Sequence, residues 1–460
     1  MEINFNRTGT SSQINTSVVF DVNGNYDIQV TEMLITGVPN WNPKKIAFPN
    51  GVTKTNCYNS QGINCNVIIP NSVTDTAFMF SSCRNLNQPF QIPDSVTEVK
   101  FMFRDCYKLN QPIHIPNSVT DTAFMFNNCF NLNQPFQIPN NVTNAAYMFS
   151  SCRNLNQNIQ LPDSITDVGH MFSSCYNLNQ PIHIPNHVTN TTYMFSSCYN
   201  LNQPFQIPST VTNVAYMFTG CNHLNQNIQI SNGIRKLNSM FNYCIRLNQN
   251  IQIPNSVTST AYMFNLCFNL NQPIQIPDSV TEATGMFYQC SKLNQNIKLS
   301  NNLMYATDIF NQCNSLNQNI KIPDSVRYLA AGFLDCSSLN QNIQIPNGVN
   351  TIGQLFQNCY NLNQNIYIPK TVNSMFNVFS GCNNLSNVTI ANYTATSGFW
   401  NLFRVNNHQS LNVWTNNTIA NNMINGKLIN GEVLTYDTIT NGYYNSRYNL
   451  YIYTNAVFPY

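Results

Sequence analysis

Sixteen cysteines in a chain of 460 residues are the first candidates for chemistry, since a thiolate can ligate zinc, act as a nucleophile or close a disulfide. Fourteen of them, Cys83 to Cys382, recur every 23 residues, and Cys57 and Cys65 stand outside that series. A zinc site needs converging ligands, and one thiol per repeat with no C-x-x-C pair supplies none. Neighbouring rungs come within reach of a bridge, but parallel inward side chains have poor dihedral geometry for one. The series therefore reads as small buried hydrophobes in a chain folded in a reducing cytoplasm. His114, His170, His183, His187, His223 and His408 lack converging partners, so no metal and no other cofactor is expected. Paired acids are scarce: Asp94 with Glu98, Asp163 with Asp167, Asp278 with Glu282, and the single Asp121 all fall at turn positions. No insertion interrupts residues 63–384 to form a cleft around them, so no catalytic residue is assigned and the chain is expected not to be an enzyme.

What positions these residues is the period itself. Leucine falls at every twenty-third position from Leu86 to Leu385, and Phe keeps the same time from Phe80 to Phe379. A fixed period of this length marks a stacked repeat array. One unit, LNQPFQIPDSVTEVKFMFRDCYK from Leu86, alternates so that Phe90 and Ile92 face one side of a short strand and Gln91 the other. Pro93 ends the strand, Asp94-Ser95 turns, Val96 and Val99 point inward, and Phe103 with Cys106 closes the coil in a compact return too short for more than a turn or so of helix. Such a coil cannot bury its apolar face alone, so the core forms between units. The Asn-Gln pair after each Leu, from Asn87-Gln88 to Asn363-Gln364, reads as a ladder of amides bonding coil to coil.

The string VTxxxxMFxxCxxLNQPIxIP resembles the BspA-like leucine-rich repeats of bacterial and protist surface proteins, and the NQP and IPxSVT pieces are similar to FNIP repeats. The likeness runs from about Ile63 to Asn384, with one residue more between Leu and Ile-Pro and one fewer before the Phe than the usual bacterial unit. The resemblance implies a right-handed leucine-rich-repeat-like β-solenoid, here of about 14 coils of 23 residues flanked by small β segments, used for adhesion or recognition. The expected domains are an N-terminal β cap or docking segment at 1–39, the solenoid at 40–385 with 40–62 as an irregular first coil and 63–384 regular, and a C-terminal β domain at 386–460. Asn23-Gly24 is a hairpin signal in the first segment, and Asn425-Gly426, Asn430-Gly431 and Asn441-Gly442 are turn signals in the last.

Only 8% of residues are charged and the net charge is +2, so no basic footprint for nucleic acid exists. No stretch approaches the roughly twenty apolar residues of a membrane span. The first residues, MEINFNRTGTSSQINTS, lack the basic start and apolar region of a secretory signal. A virus particle reaches the cell exterior without that route, so the expected setting is the virion or cell exterior.

Variation within the frame is where function is expected. Phe78, Phe101, Phe124, Tyr147, His170, Tyr193, Tyr216 and Tyr262 precede the Met-Phe pair, and Tyr107, Phe130, Tyr176, Tyr199, Phe268 and Tyr360 follow the Cys. Phe78, Phe101, Phe124, Tyr147, Tyr193, Tyr216 and Tyr262 are the candidate ligand-binding residues, because rigid aromatic faces suit sugar rings or an apolar patch on a partner. The expected function is a non-enzymatic recognition or adhesion protein, a phage or virus fibre or decoration component, binding a host-cell surface glycan or protein. A virion or surface spacer joined to assembly partners through its termini, with or without self-association, is the alternative, and a cytoplasmic protist or bacterial interaction scaffold is the third reading.

Overall fold

The computed structural model describes the backbone of residues 12–20, 26–35, 45–48, 50–57, 63–391, 402–403, 411–415, 435–437, 442–445 and 450–454. Among these residues there is no helix, and so none long and apolar enough to cross a membrane. The chain divides into two compact units, Met1–Leu224 and Asn225–Tyr460. Each is a β-solenoid built on the 23-residue repeat.

The first unit opens with β1 (Ser12–Phe20) and β2 (Tyr26–Ile35), paired antiparallel; the Asn23-Gly24 turn between them lies outside the described residues. After β3 (Lys45–Ala47), β4 (Lys54–Asn56) pairs parallel with β2, so the hairpin sits on the first coil as a cap. β5 (Asn66–Ile68) pairs parallel with β3, Lys45 opposite Asn66, a step of 21 residues that leaves the first coil two short of the repeat. From there the step is 23, as in the bridges Phe90 to Ile113 and Asp121 to Asn144. The strand position is brief, as in β6 (Phe205–Ile207), whose outer residues are buried and whose middle one is exposed.

The compact return between Val99 and Cys106 contains no helical turn. The chain runs instead through linked β-turns. Met79, Ser81 and Cys83 donate backbone N–H groups three residues back, to Thr76, Phe78 and Phe80, while Phe78, Phe80 and Ser82 donate to Lys100, Met102 and Arg104 of the next coil. Successive amides thus alternate between their own coil and the neighbour, which satisfies the backbone without a helical ladder. Phe80, Phe103, Phe126, Phe149, Phe172, Phe195 and Phe218 are fully buried, and the centroid spacings in this column run from 5.5 to 5.8 Å. At roughly 2 to 3 kcal/mol per fully buried large apolar side chain, this column with the Leu and Ile columns is the main stabilising term.

The second unit repeats the plan with β7 (Ile228–Ile230), β8 (Ile274–Gln275) paired parallel to β9 (Ile297–Lys298), and β10 (Ile366–Ile368). The stack does not stop at residue 385. β11 (Asn387–Ile390) pairs parallel with β10 and β12 (Leu411–Thr415) with β11, and Phe403 stacks 5.5 Å from Phe379. Val388, Ile390, Leu411 and Val413 keep the buried alternation while the loops change length. β13 (Thr435–Asp437) and β14 (Gly442–Asn445) then form an antiparallel ribbon with β15 (Leu450–Thr454), which lies parallel to β12. The column therefore closes on a ribbon whose edge strand is three residues long, a short edge of the kind that resists further pairing. The Asn425-Gly426 and Asn430-Gly431 turns, and Asn441 of the third, lie outside the described residues.

Candidate functional site

Two residues in each coil sit in the left-handed region. In the first unit one series is Phe78, Phe101, Phe124, Tyr147, His170, Tyr193 and Tyr216, with φ between 54° and 60°, and the other runs from Ser82 to Gly220. Each is the third residue of a turn closed by a bond such as Thr76 O to Met79 N or Phe80 O to Cys83 N, the place where a type II turn requires positive φ. The second series is filled as that geometry favours, with Ser82, Asp105, Asn128, Ser151, Ser174 and Ser197 before Gly220. The first series is not. Bulky aromatic residues are poor occupants of this region, at a cost of about 1 kcal/mol each, so the backbone is not what calls for them.

What the rings gain is one another. Centroid distances run Phe78 to Phe101 4.6 Å, to Phe124 4.7 Å, to Tyr147 4.3 Å, to His170 4.2 Å, to Tyr193 4.6 Å and to Tyr216 4.5 Å, with interplanar angles of 17° or less. This row is a continuous face-to-face stack on the outside of the first unit. Phe78 is 40% exposed and the rest are half-buried. Burial in the stack lowers the His170 pKa against the pull of Asp167 and raises that of Tyr193. The geometry alters the premise on which the row was read. Faces from Phe101 to Tyr193 lie against neighbouring rings, so a sugar cannot stack on them, and what the row presents is a strip of ring edges. Tyr262, in the second unit, is separate: it is 40% exposed, and its ring lies over Gly285, where an added Cβ would stand 2.3 Å from it.

The series after each Cys contains more than the sequence reading found. Arg84 lies over Tyr107, Tyr107 stacks on Phe130 at 4.5 Å, Arg153 lies over both Phe130 and Tyr176, and Tyr176 stacks on Tyr199 at 4.6 Å. The two arginines fill the gaps of the aromatic series at the same step of 23, a regularity hidden when only rings are counted; a guanidinium plane stacks on rings as another ring does. In the second unit Tyr305 and Tyr328 form an exposed pair 5.0 Å apart. Its signal was the change of the repeating Thr-x to Met304-Tyr305 and Arg327-Tyr328.

The other candidates belong to the frame. All sixteen cysteines are buried, and the ladder thiols are donors as well as fillers: Cys106 Sγ–H points at Phe80 O (3.1 Å), Cys129 at Phe103 O (3.0 Å), and so on to Cys382 at Phe356 O (2.9 Å). Burial raises the Cys106, Cys129, Cys152 and Cys175 thiols well above their ordinary range, the opposite of an activated nucleophile. The amide ladder is present as expected: Asn87 Oδ1 accepts from Asn110 N at 2.9 Å and from Gln111 Nε2 at 3.2 Å, and the pattern repeats coil by coil. Asp121 and Asp167 accept the N–H two residues on, as turn residues. His114, His183 and His187 are exposed, His223 Nδ1 lies 2.8 Å from Tyr199 O, and His408 lies outside the described residues. Among the described residues no three His, Cys, Asp or Glu side chains are grouped as a metal would require.

Residues 50–161, 139–232 and 230–322 match the family described as Mycoplasma protein of unknown function, DUF285, and residues 306–430 match the BspA type Leucine rich repeat region. The chain is a BspA-like leucine-rich repeat protein carrying DUF285 repeats. The second match runs past residue 385, in keeping with the continued strand column. A leucine-rich repeat protein from Bacteroides ovatus is similar in structure, with a TM-score of 0.60 and 23% identity over 84% of this chain and 95% of that one. A leucine rich cell surface protein from Faecalibacterium prausnitzii aligns with a TM-score of 0.47 and 21% identity over 84% of this chain and 96% of that one. No curated protein matches this repeat protein in sequence.

Proposed function

We propose that this repeat protein is a non-enzymatic recognition or adhesion protein whose first unit docks a partner protein along the ring-edge strip from Phe78 to Tyr216. One observation carries the reading: seven successive left-handed positions hold aromatic rings where the backbone favours Asn, Ser or Gly. A rigid strip of apolar edges, placed by a frame that engages its own amides and thiols, offers contact area at little entropic cost. Membership of the BspA-like repeats supports a surface setting, and cell exterior is the proposed location in preference to a virus particle. The test is binding of the purified full-length protein to intact host-type cells and to panels of their surface proteins. Saturable binding is expected, and none by a folded protein would leave the spacer reading in its place.

A further inference from the structure

One patch of exposed amides in the second unit lines a groove. A groove of about 480 Å³ is lined by Asn317, Ser338, Asn340, Asn361, Asn363 and Asn384. Three of these are ladder residues whose orientation is fixed: Asn317 Oδ1 accepts Asn340 N at 2.8 Å, Asn340 Oδ1 accepts Asn363 N at 2.9 Å, and Asn363 Oδ1 accepts Ser386 Oγ–H at 2.8 Å. Because a backbone N–H only donates, the Asn317 and Asn340 oxygens must face the ladder, and among the described residues no protein group receives the hydrogens of their Nδ2. The other wall, Ser338, Asn361 and Asn384, makes no side-chain hydrogen bond among the described residues. Elsewhere that wall position is occupied by its own neighbours: Asn269 Nδ2 donates to Ile245 O and Lys292 Nζ to Asn269 Oδ1, and in the first unit Asn154, Asn177 and Asn200 form a second amide ladder.

The coil that supplies Asn361 and Asn363 also carries two exposed tyrosines. Tyr360 is 47% exposed and Tyr367 51%, and neither ring stacks on another among the described residues, in contrast to the covered faces of the first unit. In the coil before, the same positions hold Ser337 and Gln344. A groove lined by carboxamides and one hydroxyl with no charged residue, on a stretch whose Asn361–Asn363 coil also carries two exposed tyrosines, matches a ligand that is polar, uncharged and rich in hydroxyls. A peptide would need apolar pockets for its anchors, and an anionic polymer would lose hydration with no cation there to compensate.

We infer that the Asn317–Asn384 groove, with Tyr360 and Tyr367, binds a neutral oligosaccharide, the amide columns meeting hydroxyls and the tyrosines covering ring faces. This rests on the reading of the array as a recognition surface but places a different ligand at a different site. The test is titration of the full-length protein with neutral oligosaccharides of glucose, mannose, galactose and N-acetylhexosamines, beside sulfated and carboxylated ones, followed by calorimetry and by chemical shifts of the Asn side-chain amides. The variant Tyr360→Ser, Asn361→Ser, Tyr367→Gln gives this coil the residues of the one before it, so its thermal midpoint is expected to match wild type. At least one neutral sugar should bind wild type and lose tenfold or more in affinity in the variant, while Tyr193→Asn in the first unit leaves it unchanged. Sugar binding that ignores the coil swap, preference for anionic sugars, or capture of surface proteins with no sugar bound would each overturn the groove assignment. The last result would leave the recognition reading standing, whereas absence of all binding would remove both.

Discussion

Mildly alkaline solution should unfold the second unit, and its thiol ladder sets the size of the effect. Burial pushes the thiols of Cys267, Cys290, Cys313, Cys336, Cys359 and Cys382 up, the last to about 12. In the unfolded chain such thiols titrate near 8.5. With folded values raised, the stabilisation is complete below the unfolded pKa and is lost as pH rises from there toward the folded values. In that window the unfolded chain releases one proton per thiol that the folded chain keeps, at about 1.4 kcal/mol per pH unit each. Six thiols come to about 8 kcal/mol per pH unit, comparable with the whole stability of an ordinary domain. The assay is urea unfolding of the full chain in reductant, followed by circular dichroism between roughly pH 7 and pH 9.5, below the ordinary titration of Tyr and Lys. The midpoint should hold level to about pH 8 and then fall ever more steeply, with a slope equivalent to about three protons near pH 8.5 and approaching six by pH 9.5 from these six thiols. A midpoint that stays level to pH 9.5 would refute a buried, protonated ladder.

Native protein at about pH 8 should react negligibly with a thiol-specific reagent, whereas the unfolded chain exposes all sixteen cysteines; a fast-reacting thiol in the native state would place a rung in solvent. Asn133→Ala removes the acceptor for Asn156 N and Gln157 Nε2 and should cost about 1 kcal/mol for each bond in urea titration, while Asn133→Asp, which still accepts, should cost less. At Ser174, where φ is 60°, Gly should be neutral or stabilising by up to about 1 kcal/mol and Val destabilising by more than that, and equal effects in thermal melts would contradict the left-handed turn.

The period was legible because every inward position repeats: Leu, Phe, Cys and Ile sit on one spacing, and a core built between identical coils has nowhere else to put them. The amide ladder was equally plain, since a pair that never varies belongs to the frame. The turn chain was not, because Phe78 and Phe101 conceal the left-handed positions that Gly220 and Gly285 mark openly. The end of the array was misplaced for a related reason: Leu402-Phe403 continues the Met-Phe column at a step of 24, which a strict count of 23 rejects although Phe379 accepts the ring. The candidate row was found by residue type, but whether ring faces or ring edges meet solvent depends on the coil spacing that brings Tyr147 and His170 to 4.2 Å. Arg84 and Arg153 were missed because they complete their ladder by planarity and not by being aromatic.

The most direct test of the recognition strip changes rings and nothing else. Tyr147→Asn, Tyr193→Asn and Tyr216→Asn together place at each position a residue that tolerates positive φ and that the array itself carries at Asn377, where φ is 51°. Binding of this full-length variant to intact host-type cells, measured beside wild type after both are shown to melt cooperatively, should fall at least tenfold. Wild-type binding in the variant would contradict the account and leave the aromatic stack a structural seam.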